Sequence, residues 1–321
     1  MTRSSHVAAW VLAAGVLATP HARAAERAVA VTFDDLPAPS AGVVANDVVS
    51  LGDMTRRLLD AVRRYGVPAV GFVNEEKLFV EGAGPDDVEG RTGLLRMWLD
   101  AGLELGNHTY SHRDLNRTPL AEFEADVIRG EKVTRSLLPA KGRTLRYFRH
   151  PFLHVGLDLQ KRHAFEAFLS AHGYVVAPVT VDDDDFVYAA VYADARRRGD
   201  MATAARIGDD YLRYMDEVFT FFEGVSRRII GREIRQVLLL HANSLNADRF
   251  GALAEALVSR GYRFVPLAEA LEDDAYRRPD KFVGVPGNSW LNHWEVTAGR
   301  KPVPTPGPPE WVNKAYRALH H

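Results

Sequence analysis

The residues able to do chemistry stand at the ends of apolar runs. The first run, residues 29–36, is short and rich in β-branched side chains, and it stops in two adjacent carboxylates, Asp34 and Asp35. Pro37 and Pro39 prevent it from continuing, so it reads as a buried strand that ends at the acidic pair. Two carboxylates at such a position repel each other and lose hydration unless a cation lies between them or one takes up a proton. Taken alone, an Asp-Asp pair is more often a solvated turn; the rest of the chain shifts that balance. His108 and His112 lie four residues apart just after a second short apolar run, a spacing that in a helical turn points both imidazoles the same way and lets them share one metal.

Cysteine is absent, which removes thiol nucleophiles, disulfides and cysteine-bound zinc together. A metal must therefore use His, Asp or Glu. Two His and one carboxylate make three protein ligands and leave positions open for water, the layout of a catalytic site. A metal so held lowers the pKa of its water to about 7 and polarises a bound carbonyl.

The elements that would position these groups alternate along the chain. Residues 53–65 carry apolar positions at helical spacing, and Gly66 follows as a C-cap; residues 68–73 read as a second buried strand. A strand, helix, strand order of this size is a right-handed crossover with parallel strands. Helical patterns then cover 94–101, 119–138, 159–172 and 248–260, and strands 103–106, 145–148, 174–181, 236–241 and 262–266. The seven strand signals predict an α/β fold, a distorted parallel (β/α)7 barrel, with an open doubly wound sheet as the alternative. Between Tyr188 and Gly231 a helical stripe of Tyr211, Met215, Val218, Phe222, Val225 and Ile229 predicts a long helix packed on the outside of the barrel. Past Leu271 the chain reads as an irregular, extended tail anchored by Trp290 and Trp294, with a Pro-rich run over 302–309.

At the C-terminal ends of the predicted strands stand Asp34-Asp35, His108 with His112, Arg149, Asp185 and His241. In parallel β/α folds that rim is where active sites are assembled, because its loops converge on one axis.

Composition sets the outer limits. The 321 residues, 46% hydrophobic, can bury a full core, and a net charge of −2 argues against a polyanion-binding surface, hence no nucleic acid. Arg3, the apolar run 7–18 and Ala22-Arg23-Ala24 read as a signal peptide over 1–24, which makes the mature protein exported, periplasmic or secreted, with no stable membrane insertion after cleavage.

Thr32-Phe-Asp-Asp35, His108-Thr-Tyr-Ser-His112, Arg146-Tyr-Phe-Arg-His-Pro151, Asp182 to Phe186 and Leu239-Leu-His241 resemble, in order, the five motifs of the polysaccharide deacetylases, the NodB-homology enzymes of carbohydrate esterase family 4. The resemblance spans about residues 29–271, giving a catalytic domain over 25–271 and a tail over 272–321. It implies metal-dependent removal of acetyl groups from amino sugars or related glycans. Carried over residue by residue, it makes Asp35, His108 and His112 the ligands of a divalent metal, zinc foremost, and leaves Asp34 as general base. Arg149 would keep Asp34 ionised and oriented, and His241 would protonate the leaving amine with Asp185 as its partner. The backbone N–H of Phe152 would join in stabilising the oxyanion, Phe186 would form a groove wall, and Leu239 would line the pocket for the acetyl methyl. The family usually has Tyr where Phe152 stands and Trp where Phe186 stands, and the run 182–185 leaves the acidic partner of His241 open by one or two positions. The expected partner is an acetylated glycan. The alternatives are an O-acetyl polysaccharide esterase, a metal-containing carbohydrate-binding module without turnover, and a non-haem iron oxygenase, whose usual His-x-Asp spacing is absent.

Overall fold

The computed structural model describes residues 27–82 and 84–319; the expected signal peptide lies outside them. The chain runs β1 (Arg27–Leu36), α1 (Val48–Arg64), β2 (Val70–Val73), α2 (Pro85–Asp100), β3 (Glu104–Asn107), α3 (Leu120–Arg129), α4 (Lys132–Leu137) and β4 (Tyr147–Phe148). It continues through α5 (Leu159–Ala171), β5 (Val175–Val176), α6 (Asp185–Arg197), α7 (Met201–Ile230), β6 (Gln236–His241), α8 (Ser244–Ser259), β7 (Tyr262–Phe264) and α9 (Leu267–Leu271). Two further helices follow, α10 (Trp290–Thr297) and α11 (Glu310–Ala318).

All pairings are parallel, in the order β5-β4-β3-β2-β1-β6, with β7 added beside the start of β1. The sheet curls until its ends approach: Val181, beyond β5, bridges in parallel to Leu238 of β6. This is the distorted parallel barrel that the alternation of strands and helices predicts.

Strand parity explains how the barrel builds a site. Along β1, Val29, Val31 and Phe33 pack into the main core with the helices, whereas Ala28 and Ala30 join a second cluster with Val70, Phe72, Tyr147 and Val237. Those residues come from strands across the sheet and can meet only inside the curl. Small side chains suit that narrow space. Side chains alternate along a strand, so Thr32 and Asp34 continue the inward series of Ala28 and Ala30, and Leu239 and His241 continue that of Val237. Asp34 and His241 are register partners.

The local elements differ from expectation in several places. Helix α1 begins five residues before the predicted start because Asp47 caps it, its carboxylate accepting from the Ser50 N–H at 2.9 Å. The single helix predicted over 119–138 is broken into α3 and α4 at Gly130. A Cβ on Gly130 would overlap the backbone of Thr109 and Tyr110, so the chain must leave the helical path where it passes the histidine loop. The strand predicted over 174–181 is regular only at β5, where Pro178 interrupts the ladder. The stripe from Tyr211 to Ile229 lies wholly on α7, which packs on α6, α8 and α10 in the helical layer outside the barrel as expected; only the start of the segment belongs to a second helix, α6.

The C-terminal segment is a correction. Expected to be irregular throughout, it contains α10 and α11, and only its Pro-rich stretch is extended. Trp290 and Trp294 are buried as anchors. Among the described residues no helix is long and apolar enough to cross a membrane.

Gly130→Ala is expected to cost about 1–3 kcal/mol in denaturant unfolding, because the neighbour that must yield is backbone. Wild-type stability would show that the contact between α3 and the histidine loop is slack.

Candidate active site

The strand ends open into one cavity of about 480 Å³, lined by Asp34, Asp35, His108, His112, Leu239 and His241 among others. Five of the residues around it or beside it in the chain, Asp35, Thr109, His112, Phe152 and Leu153, have positive φ between 54° and 70° without being glycine. Such backbone is unfavourable for L-residues, and a cluster of it marks a site whose geometry the surrounding structure enforces.

Asp35, His108 and His112 bring three ligand atoms within 4.8 Å of one another. Asp35 Oδ1 lies 3.9 Å from His108 Nε2 and 3.6 Å from His112 Nε2. The histidine pair is not on a helical turn, as its spacing had implied. It spans an irregular loop in which Thr109 (φ 67°) and His112 (φ 54°) turn the chain and bring the rings to 4.9 Å. Helix α3 holds this loop: Asp126 accepts from Ser111 N and Oγ at 3.0 and 2.9 Å, and its carbonyl accepts from Tyr110 N at 3.1 Å.

Both imidazoles suit a metal. Burial holds His108 well below the ordinary histidine pKa, and the charge of neighbouring His112 adds to that; burial likewise lowers His112. His108 Nδ1 lies 2.9 Å from the Arg149 carbonyl, to which it donates, leaving Nε2 bare toward the carboxylates. Burial opposes the charge on Asp35, but Lys77 and then the histidines outweigh it and hold the carboxyl well below its usual range. Two neutral rings and one carboxylate fit a divalent cation with open positions.

Asp34 is in a different state from its neighbour. It is buried, and burial raises its pKa to about 6 although Arg149 pulls it down. Arg149 Nη1 stands 3.5 Å from Asp34 Oδ2, while Nη2 donates to Thr32 Oγ1 at 2.8 Å. The guanidinium, 0% exposed, lies over the Phe72 ring at 4.7 Å. It is a buried positive charge aimed at Asp34, rather than a surface ion pair.

His241 and Asp185 settle the partner left open by the acidic run. His241 Nδ1 is 2.6 Å from Asp185 Oδ1, and the other Asp185 oxygen accepts from His241 N, Asn243 Nδ2 and Asn246 Nδ2 at 2.9, 3.1 and 2.7 Å. Helix α7 backs this arrangement, with Tyr211 Oη donating to Asn246 Oδ1 at 2.9 Å. Burial disfavours a charged imidazole, but the Asp185 carboxylate outweighs it and pushes His241 up to about 10. The rest of the run is different: burial raises Asp182 to about 7, and Asp183 and Asp184 are raised as well.

The three residues expected to contact substrate all line the cavity. Phe152 and Phe186 are 52% and 45% exposed, and Leu239 is buried. Phe152 sits edge-on to His112 at 4.4 Å, and Phe186 edge-on to His241 at 6.3 Å.

Several lining residues were not anticipated, Lys77, His150, Gly287 and Tyr316 among them. Lys77, on a short turn after β2, puts Nζ 2.9 Å from Asp35 Oδ1. A lysine in Asn-Glu-Glu-Lys carries no signal that it will reach a strand end elsewhere, and Gly287 and Tyr316 lie in the segment taken for a tail.

A family model described as polysaccharide deacetylase matches residues 21–166. That match covers less than half of the chain; the matched part contains Asp34, Asp35, His108, His112 and Arg149, and Asp185 and His241 lie beyond it. Glycan deacetylation is the activity of that family. Similar solved structures include the peptidoglycan deacetylase PdaC from Bacillus subtilis, 20% identical, with 79% of this chain and 94% of that one covered and a TM-score of 0.46. Another is a family 4 carbohydrate esterase from Streptomyces lividans in complex with acetate, 20% identical, with 76% and 95% covered and a TM-score of 0.45. A third is a CE4 family pseudoenzyme from Bacillus anthracis, 14% identical, with 78% and 66% covered and a TM-score of 0.45. All three are too distant to transfer chemistry to this chain.

Lys77 and a divalent cation would compete for the same Asp35 oxygen. Lys77→Met is expected to tighten metal binding at least about tenfold, read by competition with a chelating dye, because one positive charge is removed from a site of low effective dielectric. Unchanged or weaker binding would show that Lys77 moves clear at no cost.

Proposed function

We propose that this chain is an exported, metal-dependent hydrolase that removes N-acetyl groups from a glycan. The observation that carries the reading is that Asp34 and Asp35 at the end of β1, the two histidines after β3 and His241 at the end of β6, its ring held from behind by Asp185, share one cavity in different charge states. A divalent metal held by Asp35, His108 and His112, zinc the leading candidate, would supply Lewis-acid activation of water and of the acetyl carbonyl.

The chain's own residues divide the remaining work. Asp34, raised to about 6, is ionised at neutral pH yet basic enough to accept a proton from the attacking water at a carboxylate oxygen. Arg149 fixes that carboxylate and favours its charged form. His241, raised to about 10, enters the reaction protonated, and because Nδ1 is occupied by Asp185 the proton it delivers leaves from Nε2. That delivery matters most for an amide, whose nitrogen departs poorly unless protonated. It favours N-deacetylation over the ester alternative. The N–H of Phe152, on a left-handed residue at the cavity wall, is available to the developing oxyanion.

Acetate release from peptidoglycan, chitooligosaccharides, an exopolysaccharide and acetylated xylan tests the reading and selects the substrate. Release from none of them by metal-loaded protein would contradict it. His241→Ala is expected to lose about 10²- to 10⁴-fold in kcat on the N-acetyl substrate and far less on an activated acetyl ester, whose leaving group needs no proton. Equal losses on both would remove His241 as the leaving-group acid.

A further inference from the structure

The C-terminal segment touches both lips of the cavity. On one side, Gly287 lies so close to the Phe152 carbonyl that any Cβ would overlap it. This approach is fixed from behind: Ser289 Oγ donates to the Thr180 carbonyl at 2.8 Å and Trp290 N to the Val179 carbonyl at 2.7 Å, tying the segment to the closing seam of the barrel. On the other side, the Pro-rich stretch brings Gly307 up to the Asp184 carboxylate and then delivers α11. Helix α11 packs on α6; Val312 is fully buried, and the Arg206 guanidinium sits 4.2 Å from the Trp311 ring. So anchored, α11 places Tyr316 at the cavity wall, its ring 6.2 Å from Phe186 and inclined to it by 82°.

The order Tyr316, Phe186, His241 along this wall is informative. His241 is the group that would protonate the leaving nitrogen, so the sugar bearing that nitrogen belongs on the His241 side. Two aromatic rings set nearly at right angles there form a corner with an apolar lining. A pyranose presents an apolar C–H face of the same kind, and its hydroxyls have the carboxyls of Asp183 and Asp184 within the same cavity as partners.

We propose that the C-terminal helix is part of the substrate cleft, and that Tyr316, with Phe186, forms a stacking subsite for a sugar ring of the glycan chain. The subsite rests on the glycan deacetylase reading above. Tyr316 lies outside both the part of the chain that the family model matches and the five motifs, whereas Phe186 belongs to one of them.

The test uses the full-length protein and three variants, Tyr316→Ala, Tyr316→Phe and Tyr316→Trp. Binding of an N-acetylglucosamine tetramer and of an acetylated xylose tetramer is measured directly by calorimetry. Turnover of the bound tetramer and of 4-nitrophenyl acetate is measured in parallel. Tyr316→Ala is expected to weaken tetramer binding and raise its KM by about 3- to 10-fold, the scale of one aromatic contact, with a clearly smaller change in the KM for the small ester. Tyr316→Phe and Tyr316→Trp are expected to restore binding. Equal tetramer affinity in wild type and Tyr316→Ala would overturn the subsite and leave the deacetylase reading standing. Weaker binding in Tyr316→Ala without acetate release by wild type would overturn deacetylation and keep the subsite. Binding of neither tetramer by wild type, or loss of the small-ester activity together with the glycan activity in Tyr316→Ala, would overturn the subsite.

Discussion

Two carboxylates on consecutive residues cannot both stay charged at a buried strand end unless something separates their fates. In β1 the separation begins with backbone geometry. Asp34 keeps the inward parity of Ala28, Ala30 and Thr32, while Asp35, left-handed with φ of 70°, sits within β1 where its register with β2 shifts, and its carboxylate breaks the alternation. Asp34 therefore meets the buried Arg149, and Asp35 meets Lys77 and the two histidines. A cation stands beside each, Arg149 and Lys77, but burial wins for the first and charge for the second. Much of the remaining architecture serves this division: the histidine loop seated on α3, the guanidinium laid over Phe72, and the pairing of β1 with its neighbour β6 that makes Asp34 and His241 register partners.

The strand-end residues were legible in the sequence because each follows an apolar run, and strand ends in a parallel barrel converge. The Asp185 partnership was legible only to within the acidic run; what fixes it is the start of α6, which swings that one carboxylate under His241 and leaves Asp182 to Asp184 elsewhere. The turn joining His108 and His112 was misread because spacing alone does not distinguish a helical turn from a loop with two left-handed residues. The break at Gly130 was hidden for a related reason: its cause is the backbone of Thr109 and Tyr110, twenty residues away in the chain.

Lys77, Gly287 and Tyr316 mark a deeper limit. None follows an apolar run or belongs to a motif, and each reaches the cavity through tertiary packing. The segment after Leu271 looked irregular since its prolines interrupt every periodic pattern. Its helices are short, and it is held by isolated anchors, Trp290, Trp294 and Val312, instead of a continuous apolar stripe. The strand ends thus supply the reacting groups, and the part of the chain least readable in sequence shapes what they can meet.

The central claim is that the adjacent carboxylates have distinct roles, Asp35 in holding a metal and Asp34 in accepting a proton. Metal content and acetate release of purified Asp34→Asn and Asp35→Asn test it most directly. The account predicts that Asp34→Asn keeps its metal and loses activity by about 10²- to 10⁴-fold, whereas Asp35→Asn loses the metal itself. Equal metal retention in the two variants would contradict it.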